Sequence, residues 1–306
     1  MDAMHGHHGH AHDHHDHAHH HPAPSDKRYT IAIALNLSFV AIEGAAGFFA
    51  NSTALLSDAT HNLSDVLGLA LAGGAAWLAK QQAGEQRTYG FSKATVLAAL
   101  ANALVLVIAC GGLLWEASSR LFAPEPTQPL LIMAVAAAGV AINGATAMLF
   151  LAGRKEDVNV RGAYLHMLAD AGVSAAVIVA GALIYFTGMN WVDPAISVVV
   201  VLLILWGTWG LLKESLDLSL DAAPAHIDVA KVRDYLAAQP GVTAVHDLHV
   251  WAMGATKPAL TAHLVRPEGG DDAFLAKVAD GITHKFGISH VTLQIERALR
   301  DDCEHC

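Results

Sequence analysis

The sequence predicts an α-helical membrane protein, with a bundle of six transmembrane helices followed by a small α+β domain. Asp, Glu, Lys and Arg make up only 15% of the 306 residues, whereas a typical soluble protein carries about a quarter of such residues. Residues 29–212 contain long runs almost free of charge, while residues 213–306 have the composition of an ordinary soluble domain. The boundary between the two parts is therefore predicted near Lys213.

Six apolar stretches are each long enough to cross a bilayer as a helix. About 20 helical residues, each rising about 1.5 Å, span a hydrocarbon core of about 30 Å. Pro124 and Pro126 break the chain between the third and fourth stretches, because proline cannot continue a helix. The stretches cover residues 29–50, 54–79, 93–122, 128–152, 158–186 and 192–212.

The basic residues predict the orientation of the bundle. Lys and Arg gather before the first stretch, between the second and third, between the fourth and fifth, and after the sixth. The loops of the opposite side carry Arg120 and no lysine. By the positive-inside rule, both termini are predicted to be cytoplasmic. The formal net charge of −10 argues against nucleic acid as a partner.

The residues after the bundle alternate between helical and strand-like patterns. Helical periodicity in 225–238 and 271–286 and strand-like alternation in 243–252, 258–265 and 288–295 give the order helix, strand, strand, helix, strand. This order predicts a two-layer α+β domain with helices on one face of a three-stranded sheet. The chain is thus divided into a tail (1–26), the bundle (27–212), the α+β domain (213–298) and a second tail (299–306).

The first tail is rich in histidine. Eleven histidines lie among Gly, Ala and Asp in residues 5–21. The tract has no apolar residues to bury, so it is predicted to be disordered and able to bind Zn²⁺, Ni²⁺ or Cu²⁺ loosely through imidazole.

Two apolar stretches carry the same motif, His-x-x-x-Asp. The second stretch contains His61 and Asp65, and the fifth contains His166 and Asp170. Residues four apart lie on one face of a helix. If the two faces meet, two imidazoles and two carboxylates form a tetrahedral set that suits Zn²⁺ and neutralises its charge. The sequence therefore predicts an intramembrane metal site formed by these four residues.

A plainer interpretation is that each His–Asp pair only holds helices together by hydrogen bonds. Each ionisable group at the centre of a bilayer costs roughly 2.5–3.5 kcal/mol, so four in two helices favour a functional role. Metal and protons compete for such ligands, because a ligand histidine must be neutral and a ligand carboxylate ionised. No phosphate-binding loop for ATP hydrolysis is present. Metal transport coupled to a proton gradient is therefore the predicted mechanism.

The first two stretches carry two further acidic residues. Glu43 lies deep in the first, and Asp58 precedes His61 by one turn in the second. Both are candidates for a water or proton pathway. A helix-packing hydrogen bond is an equally good interpretation of Glu43.

Together these motifs resemble the cation diffusion facilitators. The resemblance rests on Ser57-Asp58-Ala-x-His61-x-x-x-Asp65, Arg87-x-Tyr89-Gly90-Phe91, the His166 and Asp170 pair, and His246-Asp247-Leu-His249-Val-Trp251. It implies a proton-coupled antiporter that exports zinc from the cytosol of a bacterium across the inner membrane. It also implies a homodimer whose cytoplasmic domains have a metallochaperone-like, ferredoxin-like fold. Histidine at position 61 is similar to the members that prefer zinc and cadmium.

The resemblance also suggests secondary metal ligands outside the membrane. His246 and His263 fall where bacterial members of the family place ligands in the cytoplasmic domain, but the family's last-strand histidine is replaced by Gln294. A reduced site is expected there, with Cys303 and Cys306 contributing from the second tail. Thiolates bind Zn²⁺ well, although an isolated C-x-x-C is equally consistent with a frayed terminus.

Three other functions fit the sequence to different degrees. An intramembrane metalloenzyme would require a motif such as H-E-x-x-H, and none is present, so the chain is not expected to be an enzyme or to need a cofactor. A non-transporting membrane metal sensor leaves the two His–Asp pairs unexplained. An exporter that prefers Co²⁺, Ni²⁺ or Cd²⁺ stays open, because ligand type alone does not fix selectivity.

Overall fold

The computed structural model describes residues 27–151 and 158–299 of the chain. Its first six helices correspond to the six apolar stretches, and its remaining elements form a separate α+β unit. The six helices are α1 (Lys27–Phe49), α2 (Thr53–Ala79), α3 (Ala94–Phe122), α4 (Pro129–Phe150), α5 (Val158–Thr187) and α6 (Val192–Ser219).

Five of these helices, α2 to α6, are long and apolar enough to cross a membrane by length and composition. In α1 the qualifying apolar part among the described residues is shorter, Asn36–Phe49. Large apolar side chains such as Ile108, Trp115 and Trp206 point outward and are exposed. An apolar outer surface around hydrogen-bonded helices is what a bilayer requires. The chain is therefore an integral membrane protein, as the sequence predicted.

The sixth helix is longer than the sequence suggested. The apolar stretch ends at residue 212, whereas the helix continues past Lys213 to Ser219. The added two turns carry charged residues such as Glu214 and Asp217, so hydropathy alone could not place them in the helix.

The two larger clusters of buried residues in the bundle join its helices. Phe39, Leu55, Ile132 and Val177 pack α1, α2, α4 and α5 around one core. A second core joins α3 to α6 through residues that include Cys110. This packing places α2 and α5, the helices that carry the His-x-x-x-Asp motifs, in the same group.

The α+β unit has the predicted order of elements. Strands β1 and β2 pair antiparallel, β2 and β3 pair parallel, and the sheet order is β1-β2-β3. Val232, Leu236, Val278 and Ile282 of its helices pack against Leu260 and other residues of the sheet. The elements are α7 (Val229–Ala237), β1 (Ala244–Gly254), β2 (Lys257–Val265), α8 (Asp272–Phe286) and β3 (His290–Glu296).

The segment that links α2 to α3 contacts the α+β unit. Lys93 forms an ion pair with Asp221, and the backbone N–H of Ala255 donates to Thr95 Oγ1 at 3.1 Å. The rings of Tyr89 and His290 meet edge to face with centroids 5.9 Å apart. The α+β unit therefore lies at the end of the bundle where α2 ends and α3 begins.

Candidate metal centre

The two His-x-x-x-Asp motifs face each other between α2 and α5. His166 Nε2 lies 3.2 Å from Asp65 Oδ2 and 3.7 Å from Asp170 Oδ2. His61 Nε2 lies 3.5 Å from Asp170 Oδ1 and 3.8 Å from Asp65 Oδ2. The imidazole rings are perpendicular, with centroids 6.0 Å apart. These four residues are called the quartet below.

The quartet is arranged so that its donor atoms could converge on one ion. Ligand atoms of Asp65, His166 and Asp170 all lie within 4.8 Å of one another. His61 is outside this three-residue group but borders it, with Nε2 3.5 Å from Asp170 Oδ1. The side chains of His166 and Asp65 are 41% and 32% exposed, whereas those of His61 and Asp170 are 20% and 3% exposed. The end of the quartet formed by Asp65 and His166 is thus open, and the end formed by His61 and Asp170 is closed. Two imidazoles and two carboxylates are ligands that Zn²⁺ accepts in tetrahedral geometry.

A buried carboxylate from α6 fixes the start of α2. Asp193 accepts hydrogen bonds from Ser52 Oγ at 2.5 Å, from the Thr53 backbone N–H at 2.7 Å and from Thr53 Oγ1 at 2.9 Å. Farther along, the hydroxyls of Ser57 and Ser197 lie 2.6 Å apart. Free N–H groups at a helix N-terminus favour a negative charge. These contacts hold α2 against α6, and no local sequence pattern indicates this role of Asp193.

Glu43 and Asp58 lie next to the quartet and are fully buried. Asn62 Nδ2 donates to Glu43 Oε2 at 3.1 Å, and Ser174 Oγ donates to Asp58 Oδ2 at 2.9 Å. Both residues lie toward the closed end of the site. Asp58 is one helical turn from His61 on α2.

A second group of potential metal ligands lies in the α+β unit. His246 Nε2 is 3.0 Å from Glu296 Oε2, and His263 Nδ1 is 3.1 Å from Glu296 Oε1. Gln294 Nε2 also donates to Glu296 Oε1, at 2.8 Å. Burial would raise the pKa of the Glu296 carboxyl, but the hydrogen bonds from His246 and Gln294 and the nearby imidazoles outweigh it, so this pKa is lowered. His246, His263 and Glu296 could together hold one ion.

Glu296 is a potential metal ligand that the sequence pattern alone does not indicate. The parallel pairing of β2 with β3 sets His263 opposite Gln294 and Val265 opposite Glu296. Because side chains alternate along a strand, Gln294 and Glu296 lie on the same face. Glu296, two positions after Gln294 on the same strand face, is therefore the feature of the sequence that could have indicated this ligand.

Asp247 extends this group toward the surface. Its Oδ1 lies 2.8 Å from His249 Nε2, and its Oδ2 lies 3.5 Å from His263 Nε2. The hydrogen bond with His249 lowers the pKa of the Asp247 carboxyl. The side chain of His249 itself is exposed.

Three sequence predictions lie outside the described residues. They are the His-rich tract at 5–21 and the two terminal thiols, Cys303 and Cys306. Within residues 27–151 and 158–299, the places where His and acidic side chains gather as metal ligands could are the group of Asp65, His166 and Asp170 and the group of His246, His263 and Glu296.

Two family models match the chain. The model described as "Cation efflux transmembrane domain" matches residues 29–218, and "Cation efflux protein, cytoplasmic domain" matches residues 224–298.

Several known proteins are similar over most of their length. The Cation efflux system protein CzcD of Alcaligenes sp. is 38% identical over 90% of this chain and 87% of its own length. The Cadmium, cobalt and zinc/H(+)-K(+) antiporter of Bacillus velezensis is 34% identical, with coverage of 89% and 88%. The Zinc transporter ZitB of Escherichia coli is 35% identical, with coverage of 88% and 87%.

Among solved structures, the metal-bound C-terminal domain of the CzcD transporter from Cupriavidus metallidurans is 38% identical to this chain. It covers 23% of this chain and 99% of that domain, with a TM-score of 0.20.

Proposed function

Since the chain belongs to the cation efflux family of membrane transporters, we propose that it exports Zn²⁺ from the cytosol in exchange for protons. The family consists of transporters, so the expectation that the chain is not an enzyme is confirmed. The identity of the ion, the coupling to protons and the residues that bind the ion are parts of the proposal.

One observation carries the proposal, namely that the quartet converges from two helices inside the bundle. Two neutral imidazoles and two carboxylates give the site a charge of about −2, which cancels the charge of Zn²⁺. When the ion leaves, the vacated imidazole and carboxylate groups can take up protons, because metal and protons compete for the same ligand atoms. Metal and protons then occupy the same site alternately, and a gradient of either can move the other.

The exposure of the site supports loading from the cytosol. If both termini are cytoplasmic, α2 runs inward and α5 runs outward, so Asp65 and His166 form the cytoplasmic end of the quartet. These two are its more exposed members, while Asp58 and Glu43 on the far side are buried. We take this as the inward-open arrangement of an exporter in a bacterial inner membrane.

The range of ions extends beyond zinc. The relative from Bacillus velezensis is named for cadmium, cobalt and zinc. Imidazole and carboxylate accept all three ions, because geometry and availability decide selectivity more than ligand type does. We propose Zn²⁺ as the main substrate and Cd²⁺ and Co²⁺ as secondary ones.

The α+β unit has its own part in the proposal. We propose that the α+β unit after α6 forms a cytoplasmic domain that joins two copies of the chain, while the six helices form the transport domain. His246, His263 and Glu296 would bind metal there, with imidazole and carboxylate donors that suit Zn²⁺. The His-rich tail at 1–26 would gather ions near the cytoplasmic mouth, and the tail at 299–306 would add thiolate ligands.

Transport in vesicles tests the proposal. The full chain is inserted into liposomes that contain a zinc-sensitive dye and a pH-sensitive dye. We expect zinc entry that requires a pH difference, that is accompanied by proton movement and that vanishes in Asp65→Ala. Glu116→Ala serves as the matched control, because Glu116 is a half-exposed acidic residue of α3 that pairs with Arg120. Zinc binding without flux in the wild type would favour a metal sensor and reject the exporter.

A further inference from the structure

Two buried carboxyl groups lie beside the quartet without belonging to it. Glu43 on α1 and Asp58 on α2 each have a side chain that is 0% exposed. Most buried carboxylates are paired with a cation or coordinate a metal. Among the described residues, no Lys or Arg forms an ion pair with either of them.

Asp58 and Asn62 are four residues apart and so share one face of α2, and Asn62 of this face donates a hydrogen bond to Glu43 of α1. One oxygen of each carboxyl already has a donor, from Asn62 for Glu43 Oε2 and from Ser174 for Asp58 Oδ2. The other oxygens, Glu43 Oε1 and Asp58 Oδ1, are buried and have no donor among the described residues. A single proton held between the two groups would supply the missing donor to both.

The surrounding charges agree with a shared proton. The charged groups nearest to this pair are His61 on α2 and Asp170 on α5, so the pair has one acidic neighbour besides its own two carboxyls. Two adjacent carboxyls in a low-dielectric site cannot both be ionised, so such a pair keeps one proton, as in other acid pairs.

We propose that Glu43 and Asp58 form a proton site separate from the metal ligands, which holds one shared proton while the quartet is free of metal and releases it when metal binds. The proposal rests on the proposed function, because it needs metal to enter the quartet. Proton release from this pair would then couple metal transport to proton transport. It would act in addition to the direct competition between protons and metal for the quartet.

Charge balance gives the pair its role. With the shared proton the pair carries one negative charge, and without it two. Arrival of a doubly positive ion one helical turn from Asp58 favours the state without the proton, since unlike charges attract across the poorly screened interior. The proton passes to water on the side to which the site is open, and another is taken up from the opposite side after the metal leaves there.

A structural role makes a different prediction. If the pair only fastens α1 to α2, its proton stays in place whether or not metal is bound. Counting the protons released when metal binds therefore separates the two roles.

Calorimetry of the purified full chain provides this count. Zn²⁺ is titrated at one pH into buffers of different ionisation enthalpy, for the wild type, Glu43→Gln and the control Glu116→Gln. We expect Glu43→Gln to bind Zn²⁺ but to release about one proton fewer per ion than the wild type, while Glu116→Gln releases the same number. An equal count in Glu43→Gln and the wild type would overturn the proposal.

A measurement on the wild type covers the case in which Glu43→Gln does not fold. The infrared difference spectrum on addition of Zn²⁺ should show loss of absorption by a protonated carboxylic acid, and an unchanged band would also overturn the proposal. The Asp65→Ala variant shows whether a negative result contradicts only the proton site or the proposed metal centre as well. If Zn²⁺ still binds within the membrane domain of Asp65→Ala, the metal centre itself is wrongly assigned.

Discussion

His166 Nε2 lies closer to Asp65 Oδ2 on the neighbouring helix, at 3.2 Å, than to Asp170 Oδ2 on its own helix, at 3.7 Å. His61 shows the same preference, at 3.5 Å from Asp170 and 3.8 Å from Asp65. Each imidazole therefore contacts the carboxylate of the other helix more closely than its own. The geometry is that of one four-residue group and not of two independent His–Asp pairs.

A single group predicts non-additive mutations. Asp65→Ala and Asp170→Ala should each weaken Zn²⁺ binding by more than about 100-fold, because even residues that only support a metal ligand often contribute 10–100-fold. The double variant should bind no more weakly than either single variant, since either change already destroys the site. Equilibrium dialysis of the three variants against Zn²⁺ measures this. Additive losses would indicate two separate sites.

His61→Asp tests how the nitrogen ligands determine selectivity. The change replaces a nitrogen donor by oxygen and adds a negative charge, and carboxylate sites suit harder ions such as Mn²⁺. We expect the ratio of Zn²⁺ flux to Mn²⁺ flux in vesicles to fall severalfold. His284→Asp, at an exposed position of α8, should leave the ratio unchanged. A constant ratio in His61→Asp would exclude His61 as a determinant of selectivity.

The sequence indicates the quartet because each His–Asp pair is defined by the spacing of residues within one helix. A spacing of four residues places His61 with Asp65 and His166 with Asp170 whatever the rest of the fold, and the cost of charge in a bilayer points to their function. The six helices follow from hydropathy for the same reason.

What the sequence did not predict depends on contacts between distant segments. Asp193 caps α2 from a position 140 residues away, and no local pattern reveals that partner. Glu296 meets His246 and His263 only through the parallel register of β3 with β2. The last two turns of α6, beyond residue 212, carry charged residues, so the hydropathy of the sequence does not show that they belong to the helix.

Asp193→Asn should destabilise the bundle. The carboxylate accepts bonds from Ser52 and from both the N–H and the hydroxyl of Thr53. An asparagine amide would turn an NH₂ group toward one set of donors and remove the charge that faces the start of α2. We expect a loss of about 3 kcal/mol, measured as a lower midpoint of thermal unfolding in detergent. Asp217→Asn, exposed on the same helix, is the control, and equal midpoints for the two variants would contradict the assigned role.

Glu296→Ala should remove metal from the α+β unit. This carboxylate contacts both His246 and His263, so without it the two imidazoles are left as a weaker pair of ligands. On an Asp65→Ala background, which removes the intramembrane site, the zinc retained after dialysis should fall by about one ion per chain if one ion binds there. Glu268→Ala, an exposed residue nearby, should retain the metal. Unchanged zinc in Glu296→Ala would place the ion elsewhere.

The start of α7 should become less stable in acid. Asp228 accepts a hydrogen bond from the backbone N–H of Lys231 at 3.2 Å and caps the helix. This bond lowers the pKa of the Asp228 carboxyl below its ordinary value of 3.8. A lowered pKa in the folded state means that the ionised cap contributes fully above pH 3.8 and that this contribution is lost as the pH falls through the folded value. Hydrogen exchange in α7 should therefore accelerate in that acidic range.

Two substitutions separate the charge of this cap from its hydrogen bond. Asn caps helices about as well as Asp but does not titrate, so Asp228→Asn should retain protection of α7 and lose the acid dependence. Asp228→Ala should expose the amides of α7 to faster exchange at every pH, because it removes both the charge and the acceptor. If Asp228→Asn kept the acid dependence of the wild type, another carboxyl would have to be responsible, and Asp234 on the same helix is the next residue to test.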